Sequence, residues 1–132
     1  MYGQSSVDST LDQHTSLKNA IDTISAELHF KIGKEEMQRT NYSEALKHFN
    51  SAIEKDSLKP DYYNARGTVH GLLGCYSCAI VEFEKAMSVD PKALKALFNR
   101  GSTRYFIGDY MGSIIDLTRF IELSPQGCGS IS

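Results

Sequence analysis

At 132 residues with 41% hydrophobic side chains, the chain is long enough for one modest core and sits within the usual size of a single domain. Its 14 Lys and Arg against 16 Asp and Glu leave a net charge of −2, which argues against both a nucleic-acid footprint and an acidic tail. No apolar run approaches the ~20 residues of a membrane span, and the N-terminus lacks the basic-then-apolar order of a signal peptide, so a cytoplasmic, reducing compartment is expected.

In chain order, residues 1–15 are rich in Ser, Thr, Asp and Gln and are expected to form a disordered arm. From Leu17 the pattern changes. Leu17, Ile21, Ile24 and Leu28 follow one another at spacings of four, three and four, which places them on one stripe of a lead-in helix over 16–25 and beyond. Such a stripe either covers the end of a stack or belongs to an inter-chain contact. Helical spacing of apolar residues then recurs over 26–39, 43–55, 60–73, 77–89, 94–107 and 111–123. Short links separate the pairs at Thr40-Asn41, Gly74-Cys75 and Gly108-Asp109, where Gly can take the positive φ that ends a helix tightly. The helices of each pair must therefore run antiparallel. A tail at 126–132 is too short and glycine-rich for another helix.

The pairs are copies of one another. Gly33, Gly67 and Gly101 recur every 34 residues, and Tyr42, Tyr76 and Tyr110 keep the same interval. Small residues stand at Ala45, Ala79 and Ser113, and bulky ones at Phe49, Phe83 and Leu117. Ala52 and Ala86 share a further small slot, which Phe120 breaks, and the copies close at Asp56-Ser57, Asp90-Pro91 and Ser124-Pro125. A glycine inside a helix costs about 1 kcal/mol relative to Ala, so each first-helix glycine should mark a close approach of the second helix, with the small Ala on that helix serving the contact.

Over roughly residues 26–125 this pattern resembles the tetratricopeptide repeat family. The resemblance implies an all-α, right-handed superhelical stack of three helix-turn-helix repeats, 26–59, 60–93 and 94–127, after the lead-in helix. A repeat that cannot bury its apolar face alone stacks on its neighbours and leaves a concave surface for partners. In such arrays the first helix of each repeat lines that surface. The candidate peptide-binding groove here is Phe30, Lys34 and Met37, then Asn64 and Thr68, then Lys95, Phe98, Ser102 and Tyr105. Its aromatic and aliphatic groups suit an extended or helical peptide with apolar anchors.

One use of the family is to clamp chaperone C-terminal carboxylates with Lys, Asn and Arg. Aligned on the repeat glycines, only Lys95 has the right chemistry, because Phe30, Lys34, Ala65 and Asn99 replace Lys, Asn, Asn and Arg. A carboxylate site loses its geometry without those donors, although Lys31, Lys34 and Arg100 leave a non-standard anion site open. The expected function is a non-enzymatic adaptor for a protein or peptide partner, with a module reading an acidic C-terminal tail as the alternative. No phosphate loop, nucleophile elbow or metalloprotease helix occurs, and neither catalysis nor a cofactor is expected. Neither nucleic acid nor membrane is expected as a partner.

The remaining expectations concern particular side chains. Cys75 and Cys78 form a C-x-x-C at a turn that could be redox-active or metal-binding, but the strand context and further ligands such sites need are missing, so they read first as variable turn positions. His14, His29 and His48 read as isolated. Arg66 and Arg100 are each followed sixteen residues later by an acid, Glu82 and Asp116, which predicts an ion pair between the helices of a repeat. Glu36, His70 and Arg104 share one slot and could form a polar seam along the stack. The apolar last helix, through Phe120, Ile114 and Ile121, is expected to make an oligomer interface, most simply a homodimer through the third repeat.

Overall fold

The structure, a computed structural model, describes the backbone of residues 2–125 and the side chains of residues 12–125. The described residues form α1 Tyr2–Gln38, α2 Tyr42–Lys55, α3 Pro60–Leu72, α4 Tyr76–Val89, α5 Leu94–Phe106 and α6 Tyr110–Leu123. From the first repeat onward the helices match the expected segments to within about one residue. Pro60 opens α3 where its missing N–H costs nothing. Gly74 and Gly108 take φ of 93° and 92° in the links, and Thr40 is forced to 64° in the equivalent place.

The N-terminus differs from the expectation of an arm over 1–15 and a separate lead-in helix over 16–25. One helix runs unbroken from Tyr2 into the first repeat. Neither Gly nor Pro occurs between residues 4 and 32 to stop a helix that the packed part has already nucleated. The expected tail at 126–132, including Cys128, lies outside the described residues.

Consecutive helices pack as antiparallel hairpins, and the hairpins stack through three clusters of buried residues. Ala45 and Phe49 meet Ala65 and Val69; Ala52 meets Ala26 and Tyr62; Ala79, Phe83 and Ala86 meet Ala96. The repeat glycines are indeed close approaches, but the expected Ala contact is corrected. A Cβ on Gly33 would stand 2.5 Å from Phe49 Cε1, and one on Gly67 would stand 2.7 Å from Phe83 Cε1. The glycine makes room for the ring of its own hairpin, while the alanines face the neighbouring repeat.

The predicted ion pairs tie the second and third hairpins. Arg66 Nε donates to Glu82 at 2.7 Å, and Arg100 donates to both oxygens of Asp116 at 2.9 and 2.8 Å. In the first hairpin the His48 slot is also used. His48 Nδ1 meets His29 Nδ1 at 3.1 Å, so these two histidines are partners and not isolated. The expected seam through Glu36, His70 and Arg104 does not form. Glu36 bonds Arg39 and Asn41 at its own turn, Arg104 bonds Asp116 within its own hairpin, and no hydrogen bond joins any two of the three among the described residues. Glu36 and Arg104 each find their partners within their own hairpin.

Candidate peptide groove

The inner faces of α1, α3 and α5 form a concave track with three hollows. The first, of about 220 Å³, has Phe30, Lys34 and Met37 on one wall, Asn64 and Thr68 on its floor, and Lys95 opposite. Lys34 Nζ sits 4.5 Å over the Phe30 ring, a cation–π contact that holds the ammonium at the rim. Neither Lys34 nor Lys95 has an ion-pair partner among the described residues. Asp61 is the one carboxylate that joins this lining.

Asn64 and Asn99 bond each other at 2.9 Å and bridge α3 to α5 at the middle of the track. Beyond them lies a second hollow of about 250 Å³, walled by Leu72, Tyr76 and Phe106 over a polar floor of Thr68, Ser102 and Thr103. Gly71 opens it. By the 34-residue interval Gly71 occupies the slot of Met37 and Tyr105, and its missing side chain leaves the space. A third, wider hollow of about 590 Å³ lies beside Phe98 and Phe120, whose rings are 5.2 Å apart, with Lys95 at its edge.

Six of the nine sequence-derived groove residues thus line one concavity: Phe30, Lys34, Met37, Asn64, Thr68 and Lys95. Phe98 and Ser102 line the adjoining hollows. Tyr105 lines none of them; it is 65% exposed and stands edge-on to Tyr110 at 5.4 Å. Asn99, Tyr76 and Gly71 were not among the groove residues read from the sequence. Gly71 carried a signal, being a helical glycine out of step with the repeat.

On α6, Ile114 and Ile121 are 59% and 51% exposed. Phe120 is instead turned onto Phe98 and half-buried, so it belongs to the end of the groove. Arg100, a candidate for the anion site, is taken up by Asp116; that hydrogen bond, working against burial, raises its pKa above the ordinary arginine value. Glu82 is held below the ordinary carboxylate value: burial pushes it up, and the hydrogen bonds and charges of Arg66 and Lys85 together pull it down further.

No protein-family model matches the chain. Among solved structures, the Arabidopsis OM64 TPR domain superposes with a TM-score of 0.75 at 25% identity, over 80% of this chain and 87% of that one. The chain is a tetratricopeptide-repeat array. The first TPR of Spaghetti (RPAP3), solved bound to HSP90 peptide SRMEEVD, shares the fold at a TM-score of 0.75 and 20% identity, over 79% of this chain and 82% of that one. In sequence the array is similar to the Arabidopsis thaliana Hsp70-Hsp90 organizing protein 2, with 26% identity over 102 residues, or 72% of this chain. It spans 18%, 13% and 14% of the lengths of the first three curated relatives.

At the turn of the array's second repeat, Cys75 and Cys78 are joined in a disulfide with Cα atoms 5.3 Å apart, so the C-x-x-C is a paired unit and not two unrelated turn residues. No cluster of three or more His, Cys, Asp or Glu suited to a metal occurs among the described residues. No helix among them is long and apolar enough to cross a membrane.

Proposed function

We propose that this array is a non-enzymatic protein–protein interaction module that holds an extended peptide along α1, α3 and α5. The observation that carries the reading is the pair of unneutralised ammonium groups, Lys34 and Lys95, on facing walls of one hollow with Asn64 between them. Two cations and an amide against the single carboxylate of Asp61 leave the base of the track with a net positive charge, which suits a carboxylate followed by apolar side chains. From Asn64 to Leu72 along α3 is about 12 Å, the reach of roughly four extended residues. A side chain about that far from the anionic end would therefore enter the Gly71 hollow.

The acidic C-terminal tail is the form of this reading that Lys34 and Lys95 favour, and the HSP90 peptide held by the Spaghetti neighbour, SRMEEVD, is acidic. The missing Arg and Asn donors make the site less bidentate, so affinity should depend more on the apolar contacts. The exposed Ile114 and Ile121 give the adaptor a second surface at its third repeat, for a partner helix. Fluorescence anisotropy with labelled SRMEEVD tests the groove. Binding should fall with rising salt, and both Lys34→Ala and Lys95→Ala should weaken it. A peptide that binds equally well after both substitutions would displace the reading.

A further inference from the structure

The apolar stripe of α1 either covers the end of the stack or belongs to an inter-chain contact, and among the described residues nothing covers it. Leu17, Ile21, Ile24 and Leu28 are 60%, 56%, 65% and 55% exposed, while Ala26, on the opposite side of the helix, is fully buried against Ala52 and Tyr62. The C-terminal end of α2 is reached at Asp22, whose carboxylate lies 3.9 Å from Lys55 Nζ. Upstream of that point every residue from Asp12 to Ile21 is exposed. The helix therefore projects beyond the body of the array, and an unsupported helical segment of this length is marginal in water.

Two properties of the stripe say what covers it. Leu28 stands in the slot of Tyr62 and Ala96, 34 and 68 residues on, which are 3% and 1% exposed because the preceding helix of the stack covers them. The stripe is thus a continuation of the surface that the array elsewhere buries against another helix. It is also palindromic: Leu, Ile, Ile, Leu at spacings of four, three and four reads the same in both directions. A two-fold axis between residues 22 and 23 sets Leu17 of one copy on Leu28 of the other and Ile21 on Ile24, a heptad-type seam of four layers. On its flanks Lys18 meets Ser25 and Glu27 meets Ala20, so like charges do not face each other.

We infer that α1 pairs with α1 of a second copy, antiparallel, through this seam. The resulting dimer carries two grooves on one body and engages two peptides at once, which raises avidity for a multivalent partner. This inference does not depend on the groove reading.

Sedimentation velocity of the full chain tests it. A closed two-copy species should form by about 100 µM, and Ile24→Glu should raise its dissociation constant by roughly a hundredfold or more. Position 24 is exposed in the single copy, and an unchanged helical circular dichroism signal confirms that the variant folds. Ile21→Lys and Ile24→Glu, each monomeric alone, should form a heterodimer when mixed, because position 21 faces 24 only in the antiparallel arrangement. A monomeric wild type, a dimer that survives Ile24→Glu, a dimer lost on Ile121→Glu instead, growth beyond two copies, or a mixture that stays monomeric would each overturn it.

Discussion

Arg100 grips Asp116 with Nε and Nη2, at 2.9 and 2.8 Å, and Arg104 adds a third hydrogen bond to the same carboxylate at 2.9 Å. Asp116 is 1% exposed, so this is a buried carboxylate whose charge is balanced by two guanidinium groups. Removing one member of such a set strands the others, at a cost of about 3–5 kcal/mol. Asp116→Ala should therefore destabilise the array by about that amount in urea unfolding, and a loss below about 1 kcal/mol would mean that the arginines find solvent freely.

Glu82 makes the equivalent tie to Arg66 and adds Lys85 at 3.0 Å. Its pKa in the folded state lies below its ordinary value of 4.5, burial being outweighed by its two cationic partners. A depressed carboxylate stabilises the fold above its unfolded pKa and loses that contribution as pH falls through the folded one. Wild-type stability should thus decline more steeply below pH 4.5 than that of Glu82→Gln. Parallel pH curves for the two would remove Glu82 from the acid sensitivity.

The helical glycines divide into two kinds. Gly33→Ala would drive a methyl into the Phe49 ring, whose nearest atom is 2.5 Å away, and overpacking of about 1–3 kcal/mol outweighs the ~1 kcal/mol gain in helix propensity. At Gly71 the nearest atom to a new Cβ is Ala79 Cβ at 3.8 Å, an ordinary contact. Gly71→Ala should therefore raise stability by about 0.5–1 kcal/mol. Gly71→Met, restoring the residue type of the Met37 slot, should fill the second hollow and weaken peptide binding without unfolding the chain. Thermal melts and peptide titrations of the three variants check this ordering.

Thr40 is the one non-glycine at positive φ, 64°, among the described residues. A β-branched side chain there costs about 1–2 kcal/mol, and the two equivalent links use Gly74 and Gly108. Thr40→Gly should stabilise the first hairpin, by about 1 kcal/mol after the added freedom of the unfolded chain is counted. A fall in the unfolding midpoint would show that the Thr40 hydroxyl, bonded to the Arg39 carbonyl, matters more than the strain.

Much of the array was legible because a 34-residue period places residue types in register before any folding is considered. The two arginines and their acids appear and vanish together, so Arg66–Glu82 and Arg100–Asp116 could be paired from spacing alone. The tyrosine recurrence located the turn inside each hairpin, and the Asp, Ser and Pro residues at 56–57, 90–91 and 124–125 located the turns that close each repeat. Direction across a helix is another matter, because it depends on what packs beside it. The period treats Met37, Gly71 and Tyr105 as equivalent, yet one lines the first hollow, one opens the second and one points away.

Residues 1–15 read as a polar arm by composition, but helix already formed by packing at Ala26 propagates back as far as Tyr2, and no Gly or Pro between residue 4 and Ala26 interrupts it. The stripe from Leu17 to Leu28 was visible in the sequence as apolar and helical. Only the tertiary structure decided that it faces water, since Ala26 had already claimed the opposite side of the same helix for the core.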